Sequence, residues 1–283
     1  MENSEFVWLN DELVPLGEAR VSVEDRGFLY GDGFFETLRA EAGRPHFLRE
    51  HLERLRASAQ AFRVPFPKDT PWEERLQQLL RANGLDQGLA AVKILLSRGL
   101  AVGLGLPAGA NPTLIIWARR YDPPSPAEYG GGWPVVTFPE RRTTFVGRHK
   151  SLNYLFYLAA RQYALDQGAR EAIILEADGL VSEGAATSLI YARAGRYYTC
   201  AAPSALAGVT IQVLARGLAR RGLTLEPVPI PATQMQEAEA MWLANSLMGL
   251  MPVSSWDGRP VPLAPQATQY LQECLASEAL LCK

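Results

Sequence analysis

Between Asp122 and Pro134 the chain carries Pro123, Pro124, Pro126, Pro134 and the run Gly130-Gly131-Gly132. Proline locks φ and lacks a backbone N–H, and glycine loses the most freedom on ordering, so no long helix or central strand runs through such a stretch. With 283 residues the chain is long enough for two ordinary domains. The break therefore reads as a boundary: an N-terminal α/β domain over 1–121, an interdomain linker over 122–134 and a C-terminal domain over 135–283.

Periodicity fills in the elements on either side. Phe6 to Leu9 and Glu12 to Val14 flank Asn10-Asp11, a hairpin turn. Phe28-Leu29-Tyr30 sits between the turn signals Glu24 to Gly27 and Gly31 to Gly33, and Phe34 to Ala40 continues as a strand. Leu48, Leu52, Leu55, Ala59 and Phe62 recur at helical spacing, which predicts a helix over 47–62. Thr70-Pro71-Trp72-Glu73 has the form of a capping box opening a helix that stops at Asn83-Gly84. Strands follow at Ala91 to Ser97 and Thr113 to Arg119. Beyond the boundary the pattern predicts a strand at Val135 to Phe138 and a helix over Ser151 to Gln167. Hairpins are expected at Asp178-Gly179, Ala194-Gly195 and Asp257-Gly258, and helices at 208–221, 233–240 and 265–276. The class is α+β with mixed, mostly antiparallel sheets.

The composition, 48% hydrophobic and 20% charged with a formal net charge of -2, is that of a soluble globular protein and points to neither nucleic acid nor membrane. Three cysteines, Cys200, Cys274 and Cys282, and three scattered histidines, His46, His51 and His149, suggest no disulfide framework and no metal site. The first residues have neither the basic stretch nor the apolar run of a leader, and no apolar segment is long enough to span a bilayer, so the expected location is cytoplasmic.

Lysine is scarce. Lys68, Lys93, Lys150 and Lys283 are the four among 28 basic Lys and Arg residues. Arginine keeps its proton under all ordinary conditions, whereas a desolvated lysine can lose it and attack a carbonyl. Lys150 precedes the predicted helix, where the positive end of the dipole disfavours a cation; the pattern alone fits a solvated surface lysine equally well. Lys93, mid-strand, is the rival. Glu183 precedes the small residues Gly184-Ala185-Ala186-Thr187-Ser188, which let another group approach the backbone; it also reads as an exposed strand-end glutamate. Gly208-Val209-Thr210 opens a helix whose amides offer an anion site, or are capped by Thr210. An amine, a carboxylate and a phosphate cradle together are what pyridoxal 5'-phosphate requires.

The chain resembles the class IV (fold type IV) pyridoxal-phosphate enzymes over nearly its whole length. The resemblance is carried, in order, by Glu24-Asp25-Arg26-Gly27, Tyr30 to Thr37, His51-Leu52-Glu53-Arg54-Leu55, Lys150-Ser151-Leu152-Asn153-Tyr154, Glu183-Gly184-Ala185, Gly208-Val209-Thr210 and Asn245 to Gly249 with Pro252-Val253. It implies a two-domain fold, with a small α/β N-terminal domain and a larger cofactor-binding domain built on a mixed, barrel-like sheet. It implies that Lys150 is the Schiff-base lysine and that Glu183 pairs with the pyridine nitrogen. Tyr154 would meet the ring hydroxyl, and Arg54, Val209, Thr210, Ser246 and Leu247 would hold the phosphate region. A homodimer acting on a small-molecule amine is implied as well. Ser188 and Ile211 depart from the asparagine and arginine that many relatives carry there.

Within that family, Leu243 to Val253, Val92 to Gly99 and Gly31 to Thr37 are similar to 4-amino-4-deoxychorismate lyases, which release pyruvate and form 4-aminobenzoate for folate biosynthesis. Tyr154 is more like the branched-chain aminotransferases, and the Glu24 to Gly33 stretch resembles the D-amino acid aminotransferases equally. The latter pair an arginine with a histidine two residues on, and here Arg98 is followed by Leu100. The expected activity is the lyase, with a class IV aminotransferase as the alternative and a binding protein without turnover as a remote third, since fold does not fix function. Tyr30, Arg39 and Arg98 are the expected substrate contacts.

Overall fold

The structure, a computed structural model, describes residues 5–107 and 111–281. Cys282 and Lys283 lie outside the described residues. The chain separates into two compact units: one runs up to Asp122 and takes in His149–Tyr154, and the other comprises Pro123–Arg148 and the chain from Leu155 onward.

The first unit contains β1 (Phe6–Leu9), β2 (Glu12–Pro15), α1 (Arg26–Tyr30), β3 (Gly33–Glu41), β4 (Arg44–Pro45), α2 (Leu48–Ala61), α3 (Trp72–Ala82), β5 (Leu89–Leu100) and β6 (Asn111–Arg120). Its strands form one antiparallel sheet in the order β2-β1-β6-β5-β3-β4. Strand periodicity sorts the two faces. Phe34, Leu38, Val92, Ile94, Leu96, Leu114 and Ile116 bury one face against Leu48, Leu55 and Ala59 of α2 and Leu76, Leu79 and Leu80 of α3. Each large apolar side chain so buried contributes about 1.5–3 kcal/mol. The residues between them point the other way. Thr37 lies opposite Lys93, which lies opposite Trp117; one step on, Arg39, Ala91 and Arg119 align in the same manner.

The second unit contains α4 (Pro126–Gly131), β7 (Trp133–Thr137), α5 (Leu155–Asp166), β8 (Glu171–Leu175), β9 (Val181–Gly184), β10 (Ser188–Arg193), β11 (Arg196–Cys200), α6 (Val209–Ala219), β12 (Leu225–Val228), β13 (Ala240–Asn245), β14 (Gly249–Trp256), β15 (Arg259–Pro260) and α7 (Pro265–Leu281). The sheet runs β12-β11-β10-β13-β14-β7-β8-β9, with β15 on β14. It is mixed: β11 with β12, β14 with β7 and β7 with β8 are parallel, and the remaining pairs are antiparallel. Ile190, Trp242 and Leu250 pack under Leu214 and Leu218 of α6 and Leu271 of α7, while Leu189, Leu243 and Met251 belong to a second apolar cluster.

All four expected hairpins form, at Asn10-Asp11, Asp178-Gly179, Ala194-Gly195 and Asp257-Gly258. Several local expectations do not hold. The helix expected from Ser151 starts at Leu155; Ser151 instead bridges to Phe34 of β3. Lys150 is therefore not at a helix N-terminus, and the dipole argument for it fails. Phe28-Leu29-Tyr30 belongs to the short helix α1, capped by the Asp25 side chain on the Gly27 amide. Thr70 caps nothing: α3 has Pro71 at its N-cap position and no side-chain cap. Residues 233–240 form a 3-10 turn at Ala232–Glu237 and then enter β13. Within the Pro/Gly stretch, Ser125 and Glu128 make a reciprocal capping box that starts α4.

Candidate active site

In the first unit, backbone pairing with β3 positions Lys150. The Phe35 amide donates to the Lys150 carbonyl at 2.8 Å, and the Leu152 amide donates to Gly33 at 2.9 Å. A side chain at Gly33 would put a Cβ 2.6 Å from the Leu96 carbonyl oxygen, so only glycine admits this approach. The Lys150 ammonium lies 4.6 Å from the Phe35 ring centroid and 5.7 Å from that of Tyr154, and the two rings meet edge to face at 5.2 Å. The Lys93 ammonium is 4.7 Å from the same Phe35 ring. Burial, with the charge of Arg119, holds Lys93 below the ordinary lysine range. Arg39 shares this sheet face; its Nε is buried with no hydrogen-bond partner among the described residues, and its Nη2 lies 3.4 Å from Glu41.

Arg54 is oriented by a carboxylate below it. Its Nε and Nη2 donate to Glu36 at 2.8 and 2.6 Å, and His51 Nδ1 meets the same carboxylate at 2.7 Å. Burial pushes the Glu36 carboxyl up, but Arg54 and His51 outweigh it and hold the group below its ordinary range. Burial also keeps His51 below its ordinary value, against the pull of Glu36. Burial thus disfavours the charged form of His51, whose Nδ1 faces Glu36.

Arg98 is fully buried and saturated. Its Nε and Nη2 donate to Asp32 at 2.7 and 3.0 Å, Nη2 donates to Phe62 at 2.8 Å, and Nη1 donates to Arg63 and Pro107 at 3.0 and 3.1 Å. Its five N–H groups are spent within the unit, so it has none for a substrate carboxylate. Burial raises the Asp32 carboxyl, but Arg98 and Arg26 together bring it below its ordinary value. Tyr30 stands exposed beside the Arg26 guanidinium, 4.9 Å from its ring centroid.

In the second unit, β9 presents Glu183, 6% exposed, with both carboxylate oxygens occupied. Tyr157 O–H donates to Oε1 at 2.6 Å and the Leu206 amide to Oε2 at 3.1 Å. Glu171 supports the turn that follows, accepting from the Ala186 amide at 3.3 Å and the Ala172 amide at 3.0 Å. Burial pushes its carboxyl above the ordinary range despite Arg161. Gly208 is the N-cap of α6, and among the described residues no side chain caps that end; Thr210 as a cap is thereby corrected. A Cβ at Gly208 would lie 2.6 Å from Ser188 Oγ, so the Val209–Thr210 amides and Ser188 share one locality. Asn245 shapes the turn that holds Ser246 and Leu247: its Oδ1 accepts from the Leu247 and Met248 amides at 3.0 and 2.9 Å, and its Nδ2 donates to Ala186 at 3.3 Å. Ile211, where many relatives carry arginine, packs against the apolar cluster under α6.

The first unit thus gathers Lys150, Tyr154, Phe35 and Lys93, and the second gathers Glu183, Ser188, the α6 N-terminus and the Asn245 turn. Sequence reasoning missed Tyr157 and Leu206, because an amide has no side-chain signature and Tyr157 is one more aromatic on a helix. Glu36 was visible only inside its motif, without a role.

Residues 33–256 match the family model described as amino-transferase class IV. The chain is 30% identical over 264 residues to a Methanocaldococcus jannaschii protein named "Putative branched-chain-amino-acid aminotransferase", covering 90% of this chain and 89% of that one. Among solved structures, Escherichia coli branched-chain amino acid aminotransferase is similar at 25% identity with a TM-score of 0.85, covering 95% of this chain and 93% of that one. A "Putative 4-amino-4-deoxychorismate lyase" from Legionella pneumophila is similar at 25% identity and a TM-score of 0.85, covering 92% and 96%.

Proposed function

The chain belongs to the amino-transferase class IV family, whose fold type IV members depend on pyridoxal 5'-phosphate, and we propose that it is a 4-amino-4-deoxychorismate lyase, producing 4-aminobenzoate and pyruvate. The residues present suit the cofactor. Lys150 offers the amine, Glu183 a carboxylate for the ring nitrogen, and Tyr154 a hydroxyl. Arg54, Ser246, Leu247 and the Val209–Thr210 amides at an α6 terminus without a side-chain cap would hold the phosphate.

When bound, the cofactor supplies a ring that accepts the electron pair released when a bond at the amine-bearing carbon breaks. The protein's part is positional and proton-handling. Lys150 would hold the cofactor through its amine and, with that amine free, would be the base that takes the proton from the substrate's amine-bearing carbon. Glu183 would hold positive charge on the ring nitrogen, and Glu36 aims Arg54. The three-carbon group leaves as enolpyruvate and takes up the proton removed from the amine-bearing carbon to become pyruvate, and the ring left behind is aromatic.

One observation carries the preference for the lyase. Arg39 and Arg119 lie in register across β3, β5 and β6 on one face of the first sheet, with Ala91 between them; Lys93 lies on the same face two residues along β5, and that face also carries Phe35, the ring beside Lys150. Such a face attracts a substrate bearing two carboxylates, and the partly desolvated Lys93 and Arg39 are suited to bind it. Arg98 is withdrawn as a contact because its donors are saturated. The test is to mix purified protein with 4-amino-4-deoxychorismate and assay pyruvate. Pyruvate release that follows protein concentration supports the lyase. Its absence, with glutamate-dependent amino transfer to a branched 2-oxo acid, selects the aminotransferase. That second reading is favoured by the name of the archaeal relative and by Tyr154 packed on Phe35.

A further inference from the structure

Tyr157 stands in the first turn of α5 and is 9% exposed. Its hydroxyl reaches Glu183 Oε1 at 2.6 Å, the short end of the range for a phenol donating to a carboxylate. The Leu206 amide holds the other oxygen at 3.1 Å. Above the phenol ring sits a cation: Arg142 Cζ is 4.4 Å from the Tyr157 centroid and 4.3 Å from that of Phe156. Arg142 Nε is buried with no hydrogen-bond partner among the described residues, so the guanidinium is spent partly on these ring faces. A cation over a phenol draws electron density from the ring and makes its O–H a stronger donor. A hydrogen bond donated to a carboxylate stabilises the anion and makes it a weaker base.

We infer that Tyr157, with Arg142 over its ring, is a positioning residue for Glu183: its hydroxyl fixes the carboxylate and weakens it as a base, so that the proton shared with the cofactor's ring nitrogen stays on nitrogen. This rests on the reading of Glu183 given above. A carboxylate lacking the phenol would compete for that proton, and a ring without it is a poorer electron acceptor. The Leu206 amide cannot substitute, because it serves the other oxygen. Tyr157→Phe keeps the ring and its packing against Arg142 and removes the O–H alone.

The test uses holoenzyme reconstituted with pyridoxal 5'-phosphate labelled with 15N in the ring, comparing wild type, Y157F, R142M and E183Q by the ring-nitrogen chemical shift. Y157F is expected to move the signal from the protonated toward the unprotonated position, part of the way taken by E183Q, and to lower kcat roughly tenfold with little change in KM. R142M, which keeps the hydrogen bond, is expected to move it in the same direction by less. A Tyr157 that merely fills space would leave the signal in place. A signal unmoved in Y157F and R142M, while E183Q moves it, overturns the proposal. If E183Q leaves it unmoved and borohydride still tags Lys150, the assignment of Glu183 to the ring nitrogen is what fails.

Discussion

The first unit holds Asp32 between Arg26 and Arg98, and Glu36 between Arg54 and His51. The second holds Glu176 through the Ser182 hydroxyl and the Ser204 amide and hydroxyl, and Glu183 through Tyr157 and the Leu206 amide. All four carboxylates are buried or nearly so, yet one pair is neutralised by cations and the other is stabilised by neutral dipoles. A cation cancels the charge it pairs with, whereas hydroxyls and amides favour the anion and leave its net charge in place. Under the proposed function, Glu183 is the carboxylate offered to the cofactor's ring nitrogen. Glu36, by contrast, spends its charge on aiming Arg54.

Experiments that break this contrast span a wide range of effect. The largest is expected for Lys150→Ala, with turnover falling at least about 10³-fold and no borohydride-reduced adduct on the peptide containing position 150. A tagged peptide elsewhere in wild type would remove Lys150 from its role. Glu183→Ala should lower kcat roughly 10²-fold while the adduct at Lys150 still forms. Next come two stability measurements by urea denaturation. Arg98→Met strips a buried cation from Asp32 and five donors from their acceptors, and should cost about 3–5 kcal/mol. Glu176→Gln should cost only about 1 kcal/mol, because the Ser204 hydroxyl can turn from donor to acceptor toward the new amide. Equal costs would erase the distinction between the units.

The smallest effect is a dependence on pH. The Glu171 carboxyl is held above its ordinary value of 4.5, chiefly by burial. In the window above 4.5 the folded chain binds this proton more tightly than the unfolded chain, so Glu171 makes stability rise as pH falls toward that value. Asp32, held below its ordinary 3.8, has the opposite sign: its contribution is present above that value and is lost as pH falls through the depressed one. Urea midpoints of wild type and Glu171→Gln between pH 7 and 5 isolate the first term. A wild type that gains nothing on Glu171→Gln as pH falls contradicts it.

Local chemistry was legible wherever the chain's own neighbours decide the outcome. The turns at Asn10-Asp11 and Asp178-Gly179 and the helical spacing from Leu48 to Ala59 are effects within a few residues of one another. The family motifs containing Lys150, Glu183 and Arg54 were legible in the same way. The start of α5 was not, because Ser151 pairs with Phe34 from far along the chain and strand pairing overrides helix propensity. Nor was the fate of the arginines. Arg39, Arg54 and Arg98 look alike in sequence; one shares a sheet face with Lys93 and has a buried Nε without a hydrogen-bond partner among the described residues, one is aimed by Glu36, and one is consumed by Asp32 and three carbonyls.

The amino-acid order by itself settled which segments become strands, turns and helices over most of the chain, because those properties depend on side-chain type and short spacing. Only the folded chain decided how each buried charge is met. Glu183 and Tyr157 are 26 residues apart, and Arg98 and Asp32 are 66 apart. Bringing such groups to hydrogen-bond distance requires the paired sheets and packed helices between them, and the strength of each contact is set by the water that this packing excludes.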